Sequence, residues 1–376
     1  MANDLSKVTP KLLAQGLVAL RQNAVMPRIV NSDYGDIAAH KGATIEVPIP
    51  SAVATNDVAP GPVPPATQDV TPSQVTIVLD QWREAPFYLT DKDLAECMEG
   101  TIPLQASEAI KALANYVDAY ILDLYKGIYG FSGTPGTTPF ATDVTDIVGA
   151  RKVLNNQLAP QGDRRFVFDA DCEANALMLR SFTDVSFTGD ARAINDGEIV
   201  HKFGFDWYLD QNLPTHTAGT PGGTLTVNGA HSAGAVSISI ANTAAGGLAE
   251  GDIITIAGDS QTYAVGADVS WSGAGNQTVS ISPALAADAS GGASVSLKDS
   301  HVVNLALHRD AIAFANRPLG DNFEGLGNVI QIAQDPVSGL ALRLEISREH
   351  KRNRFSFDIL FGAALVRPEL ACRLAG

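Results

Sequence analysis

The run GATIEVPIPSAVATNDVAPGPVPPATQDVTPSQVTIVL, residues 42–79, reads as a strand, a proline-rich tip and a returning strand. Gly42 to Pro50 alternates in the period of a β-strand, and Val75 to Leu79 together with Phe87 to Leu89 supplies the return. Between them Pro60, Pro62, Pro64, Pro65 and Pro72 cannot donate ladder hydrogen bonds and keep the chain extended. A long two-stranded ribbon cannot bury its own faces and is marginal alone in water, so this one needs a neighbour to lie on. A flexible linker would account for the prolines but not for the patterned strands on both sides.

Ahead of the ribbon, Leu12, Leu13, Leu17, Leu20 and Val25 follow Thr9-Pro10 at helical spacing, which gives an amphipathic amino-terminal arm. Behind it, Ala106, Ile110, Leu113, Val117, Ile121 and Leu124 recur at steps of three and four between Pro103 and Gly127. This is the strongest helix in the sequence, with Glu108, Lys111, Asp118, Asp123 and Lys126 marking its wet side. An α/β segment follows: a helix through Ile147, Val148, Val153, Leu154 and Leu158, a short strand Arg165 to Phe168, and a helix Ala174 to Leu179.

No Lys or Arg occurs between Lys202 and Lys298, and Gly, Ala, Ser and Thr dominate there. Strands Val236 to Ile240, Ile253 to Ile256, Thr262 to Val265, Gln277 to Ser282 and Ser294 to Leu297, separated by Gly-rich turns, make this an inserted all-β barrel or sandwich. The parent chain resumes at His301 to Leu307. It ends with strands Ala341 to Ser347 and Arg354 to Leu360 around a basic turn.

The 376 residues suggest two or three compact units. Only 18% are charged, against roughly 25% in a typical soluble protein, while 45% are hydrophobic. Interface cores are depleted in Lys, Asp and Glu, so this composition suits a surface covered by other subunits, though an Ala- and Gly-rich soluble protein has it too. A net charge of -15 repels nucleic acid as a whole and confines any such contact to a local patch. Cys97, Cys172 and Cys372 are odd in number and widely spaced, as reduced structural cysteines are. No signal pattern opens the sequence and no apolar run reaches the roughly 18 residues of a membrane span, so a cytoplasmic protein with no membrane contact is expected.

The sequence lacks GxxxxGK[ST], GxGxxG, GxSxG and HExxH. Asp169, Asp171 and Glu173 could bind a divalent cation or act as an acid-base pair, but they equally suit a helix amino terminus, where the dipole favours negative charge. His301 and His308 are seven apart in a strand-like pattern and read as structural. The stretch Arg348-Glu349-His350-Lys351-Arg352-Asn353-Arg354 is the one dense basic patch. It has no interleaved aromatics for base stacking, so ion pairing between subunits or a solvated hairpin end accounts for Arg348, Lys351, Arg352 and Arg354 better than nucleic acid does. No catalytic, cofactor-binding or metal residue is assigned. The expected assembly contacts are these four cations together with Pro60, Pro62, Pro64 and Pro65.

The order of parts resembles the Hong Kong 97-type coat fold of tailed phages, an α+β architecture. Three runs carry the resemblance: Val30-Asn31-Ser32-Asp33-Tyr34 with Gly42 to Pro48, Gly197 to Trp207 with Asn212-Leu213-Pro214, and Asp358 to Gly362 with Arg367-Pro368-Glu369-Leu370. It implies an N-arm (1–40), an E-loop hairpin (41–92), a spine helix with the P-domain (93–130) and an A-domain (131–218). An inserted β-domain (219–299) and a return through A- and P-domain strands (300–376) complete it. The insert is similar in placement to that of the phage P-twenty-two type coat family. The resemblance further implies a virion protein, not an enzyme, that self-assembles into hexamers and pentamers of an icosahedral shell around double-stranded DNA. A scaffolding protein and a portal would be its partners, contact with packaged DNA would be weak and non-specific, no cofactor would be needed, and assembly would occur in the bacterial host cytoplasm. Two alternatives stand beside it. An encapsulin-like nanocompartment would share the parent architecture, and a phage tail or surface carbohydrate-binding protein would use Tyr263 and Trp271 of the insert.

Overall fold

A computed structural model describes residues 24–33, 44–50, 55, 72–92, 101–185, 192–319, 328–334 and 339–376, and of 101–104 the backbone alone. The leucines of the amino-terminal arm, Leu12, Leu13, Leu17 and Leu20, the prolines Pro60, Pro62, Pro64 and Pro65, and Cys97 lie outside the described residues.

The described chain opens with a short helix, α1 (Met26–Ile29), then the ribbon strands β1 (Thr44–Ile49) and β2 (Ser73–Val78), and β3 (Gln81–Thr90). β1 and β2 pair antiparallel over their full length, Thr44 opposite Val78 and Ile49 opposite Ser73. Phe87 to Leu89, expected in this return, do not belong to it. Those residues lie in β3, which pairs with a distant carboxy-terminal strand. The reason is the apolar alternation of Ala85, Phe87 and Leu89, which the six-residue ribbon cannot bury and the main core can.

Helix α2 (Thr101–Asp123) runs 23 residues, about 35 Å, and ends in a 3-10 turn, Leu124–Gly127. Ile110, Ala114, Val117 and Ile121 on its inner stripe are fully buried. Asp118 is not on the wet side, where its charge suggests it, but is itself fully buried. Its two carboxylate oxygens accept the backbone N–H groups of Val25 and Met26, each at 3.1 Å, so the start of α1 supplies the donors that burial requires.

After β4 (Gly130–Gly133), α3 (Thr145–Asn156), β5 (Arg164–Phe168) and α4 (Ala170–Met178) come the small strands β6 (His201–Lys202), β7 (Phe205–Leu209) and β8 (Thr215–His216). Helix α3 stops two residues before Leu158, which instead sits exposed in a turn at φ 60°.

The insert holds β9 (Leu225–Val227), β10 (Ser237–Asn242), β11 (Gly246–Leu248), β12 (Ile253–Ile256), β13 (Thr262–Val265), β14 (Val269–Trp271), β15 (Gly275–Ser282) and β16 (Ser294–Leu297). Six of these close into a barrel in the order β10-β15-β13-β12-β16-β9, with β11 and β14 as a separate pair. Its alternating inward residues, among them Ile238, Ile240, Ile254, Val265 and Val279, form a core of their own. Tyr263 and Trp271 are in that core, so neither is available as an exposed sugar-stacking ring.

The chain then forms β17 (His301–His308), β18 (Ile312–Asn316), β19 (Asn328–Gln334), β20 (Ala341–Glu349), β21 (Arg352–Leu365) and β22 (Ala371–Ala375). Strands β4-β22-β17-β5-β7-β6 build one sheet, with β8 paired to β17. The barrel thus leaves from β8 and returns in β17, strands that lie side by side with His216 opposite His301. A second sheet orders β18-β21-β20-β19, with β3 on the open side of β21. The main core fills the space between these sheets and α2.

Candidate assembly surface

The second sheet has one face on the core and one turned away from it. On β3 the core face is Ala85, Phe87 and Leu89, Phe87 stacking on Phe355 of β21 with ring centres 5.1 Å apart. The outward face carries Trp82, Glu84, Pro86 and Tyr88, opposite Leu360, Asp358, Ser356 and Arg354. Next in register, Arg343 of β20 stands opposite Asp358.

These outward residues form a ladder of cross-strand polar pairs. Arg343 Nε donates to Asp358 Oδ1 at 2.8 Å, and Trp82 Nε1 donates to the other oxygen at 3.0 Å. Arg343 and Asp358 are only 6% and 5% exposed, so this pair is shielded from water despite its place on an outer face. Arg354 Nη2 bonds both oxygens of Glu84 at 2.8 Å, and Ser356 Oγ donates to the same carboxylate at 2.9 Å. Arg352 pairs with Glu349 and lies over the Tyr88 ring, 4.5 Å from its centre. Arg348 forms a two-pronged bond to Asp91, and this hydrogen bond holds the Asp91 carboxyl below its ordinary value.

The basic stretch is the end of a tight hairpin, as the two strands around it lead one to expect. Arg348 is the last residue but one of β20, Arg352 and Arg354 lie in β21, and Glu349 pairs with Arg352 across His350-Lys351. Lys351 takes φ 56° to make that turn, and its carbonyl accepts the Asp91 N–H at 3.1 Å. Three of the four expected cations thus have carboxylate partners in their own chain, on β3, β20 and the residue after β3. The cations and Glu349 are legible in the sequence, but the other two partners are not, because Asp91 is 257 positions from Arg348 and Glu84 is 270 from Arg354.

The ribbon rises from the other end of the same face. Ile45, Val47, Ile77 and Leu79 pack on Ala313, Ala315, Leu360 and Val366, while Glu46, Pro48, Gln74 and Thr76 point outward. Gly362 makes the close approach possible, since a Cβ there would meet the Val78 carbonyl. Beside the ribbon base lies a cleft of about 270 Å³ bordered by Asn31, Val47, Pro48, Asp310, Val366 and Arg367.

The acidic cluster, the two histidines and two of the cysteines have structural places. Asp169 caps α4, its Oδ1 accepting the Cys172 N–H at 3.3 Å, and Asp171 and Glu173 fall in the first turn. His301 and His308 are both buried at the two ends of β17, and burial lowers the pKa of each. Cys172 and Cys372 are free, buried thiols whose pKa values burial raises. Among the described residues no group of three His, Cys, Asp or Glu side chains is arranged to hold a metal ion, and no helix is long and apolar enough to cross a membrane.

No protein-family model and no curated protein matches the sequence. Solved structures match the fold. A structure from Mycobacterium phage Che8 is 14% identical with a TM-score of 0.53, covering 93% of this chain and 90% of that one. The capsid structure of the cyanophage P-SCSP1u is 12% identical with a TM-score of 0.53, covering 94% of this chain and 88% of that one. A structure from Gordonia phage Cozz is 11% identical with a TM-score of 0.52, covering 94% of this chain and 86% of that one. The chain has the α+β fold of these phage structures along nearly its whole length.

Proposed function

We propose that this chain is a major capsid protein, the subunit of an icosahedral shell around the double-stranded DNA of a tailed phage. The observation that carries the reading is the fold shared with the cyanophage capsid over 94% of the chain. In Hong Kong 97-type terms, the β1–β2 ribbon is the base of the E-loop, α2 the spine helix, the sheet of β18 to β21 with β3 the P-domain, and the sheet around β17 and β22 the A-domain. The barrel corresponds to the inserted domain of the phage P-twenty-two type coats.

The ribbon supports a role in contacts between subunits. Among the described residues, its hydrophobic side chains pack on Ala313, Ala315, Leu360 and Val366, so the ribbon base is held by its own chain. The charge ladder presents a polar surface whose cations already have carboxylate partners in their own chain. Such a subunit works by self-association and needs no cofactor or catalytic group. A scaffolding protein and a portal would be its assembly partners, and the acidic charge favours only weak, salt-sensitive contact with packaged DNA.

Negative-stain microscopy and sedimentation of the purified protein test this reading. Closed, uniform particles are expected, and native particles should contain nucleic acid. A protein that stays monomeric under all assembly conditions, with or without scaffold, would overturn it; particles filled with protein cargo would replace the phage shell by an encapsulin-like one.

A further inference from the structure

Where the barrel meets the rest of the chain, a small apolar contact of Tyr129, Ile253 and Ala264 adjoins a set of polar side chains sealed from water. Arg373 of β22 is 0% exposed. Its Nη1 donates to the Gly251 carbonyl in the barrel at 2.7 Å, and its Nη2 to the Lys126 carbonyl at the end of the 3-10 turn at 2.9 Å. Its guanidinium lies 5.0 Å from the centre of the Tyr125 ring. The Tyr125 hydroxyl is 3.0 Å from His216 Nδ1, and His216 Nε2 is 2.9 Å from Asp252 Oδ1. Asp252, also 0% exposed, accepts the N–H groups of Ala249 at 2.7 Å and Gly219 at 3.2 Å. One connected set therefore joins the entry strand β8, the barrel loop, the end of α2 and the carboxy-terminal strand.

A buried guanidinium is costly, and packing alone would be served as well by an apolar side chain of similar volume. What an apolar residue could not do is bond two carbonyls on two separate segments. The planar fork of arginine does this, and a lysine ammonium has no equivalent geometry. The fit is close: Gly251 has φ 87°, and a Cβ there would come within 3.0 to 3.1 Å of Lys126.

We propose that Arg373 is the positioning residue that fixes the barrel on the body. Its fork bonds one carbonyl from each, so the barrel can turn about its two connections only by breaking the Gly251 bond and uncovering Asp252. The barrel is thereby an oriented part of the subunit and not a tethered appendage, and its direction is set by the strand that ends the chain. This inference goes beyond the capsid reading and does not depend on it.

Hydrogen exchange followed by mass spectrometry on the full soluble chain tests the proposal. In Arg373→Lys, which keeps the charge and loses the fork, peptides spanning 217–222 and 247–252 should exchange about tenfold faster while those of β10, β15 and β17 keep their wild-type rates. Unchanged exchange at the junction would show that charge alone suffices and overturn the proposal. Equal acceleration across barrel and sheets would show a merely structural residue and overturn it too. Should Arg373→Lys not fold, Tyr125→Phe removes one hydroxyl from the same set; faster exchange confined to the two junction peptides supports the proposal, and no change or a uniform change overturns it.

Discussion

Gly362 lies so close to the Val78 backbone that a Cβ added to it would collide with the Val78 carbonyl oxygen. The ribbon crosses β21 at this point, and the strand beneath cannot carry a side chain there. Gly362→Ala should cost about 1–3 kcal/mol, the usual range for overpacking a close contact. The loss should appear first as faster exchange in β1 and β2, with β20 still protected. Wild-type exchange in the ribbon together with wild-type stability would show that the crossing relaxes freely.

The charge ladder should split into a weak and a strong rung. Arg354→Ala breaks a partly exposed pair and should cost no more than about 1 kcal/mol. Arg343→Ala leaves Asp358 shielded and uncompensated, for an expected loss of about 3–5 kcal/mol. Urea denaturation of the two variants measures the difference, and equal losses would contradict the burial assigned to Arg343.

Neutralising Arg348, Lys351, Arg352 and Arg354 together should disturb shell assembly more than it changes the affinity of the isolated subunit for duplex DNA. Sedimentation of shells and an electrophoretic shift at moderate salt provide the paired readout. A wild-type subunit that grips duplex tightly, and a neutral variant that loses the grip while its shells form normally, would make the hairpin a DNA site.

Deleting Asn56 to Pro72 should leave a folded monomer that cannot build stable shells. Ile45, Val47, Ile77 and Leu79, which hold the ribbon base, all remain in that variant. Circular dichroism and sedimentation test the two halves of the prediction, and normal shells would remove the E-loop assignment.

Burial pushes Asp118 up to about 8, with the charge of Asp210 adding to it, against two backbone N–H donors that favour the carboxylate. A folded-state value raised above the unfolded 3.8 gives stability that is full below about 4 and is lost as pH rises toward 8. His301 works in the opposite sense, because burial lowers its value and its contribution is lost as pH falls below about 6.5. Urea midpoints of the wild type and Asp118→Asn across pH 4 to 8 separate the two. The variant should keep the acid-side loss and have a shallower alkaline-side slope, the remainder belonging to Asp210, whose value burial also raises; parallel curves would refute the role of Asp118.

Local signals were legible in the sequence wherever the pattern repeats. Helix α2 shows in the spacing of Ala106 to Leu124, and β12, β13 and β16 match the expected strands from end to end because Gly-rich turns bound them. Strands β9, β11 and β14 are three residues long, too short to alternate visibly. The partner of β3 was illegible because a strand announces its faces but not its distant neighbour. Asp118 and Arg373 misled or escaped for one shared reason: a charged side chain reads as exposed, and only the fold brings Val25, Met26, Gly251 and Lys126 to meet them. The lone arginine in Ala371-Cys372-Arg373-Leu374-Ala375 was the available hint.

Strands β8 and β17 are adjacent and antiparallel, so the sheet meets the barrel as it would meet the turn of an ordinary β-hairpin. The two ends of the insertion already stand at cross-strand distance, and closing a longer loop adds only slowly to the entropic cost. Replacing everything between His216 and His301 by a few turn residues would reconnect the same two strands, but it would also take Gly251 and Asp252 away from the buried Arg373 and His216. The seam is therefore a splice point with a condition attached: a module exchanged there keeps the register of the body when it also brings a carbonyl to Arg373 and a carboxylate to His216.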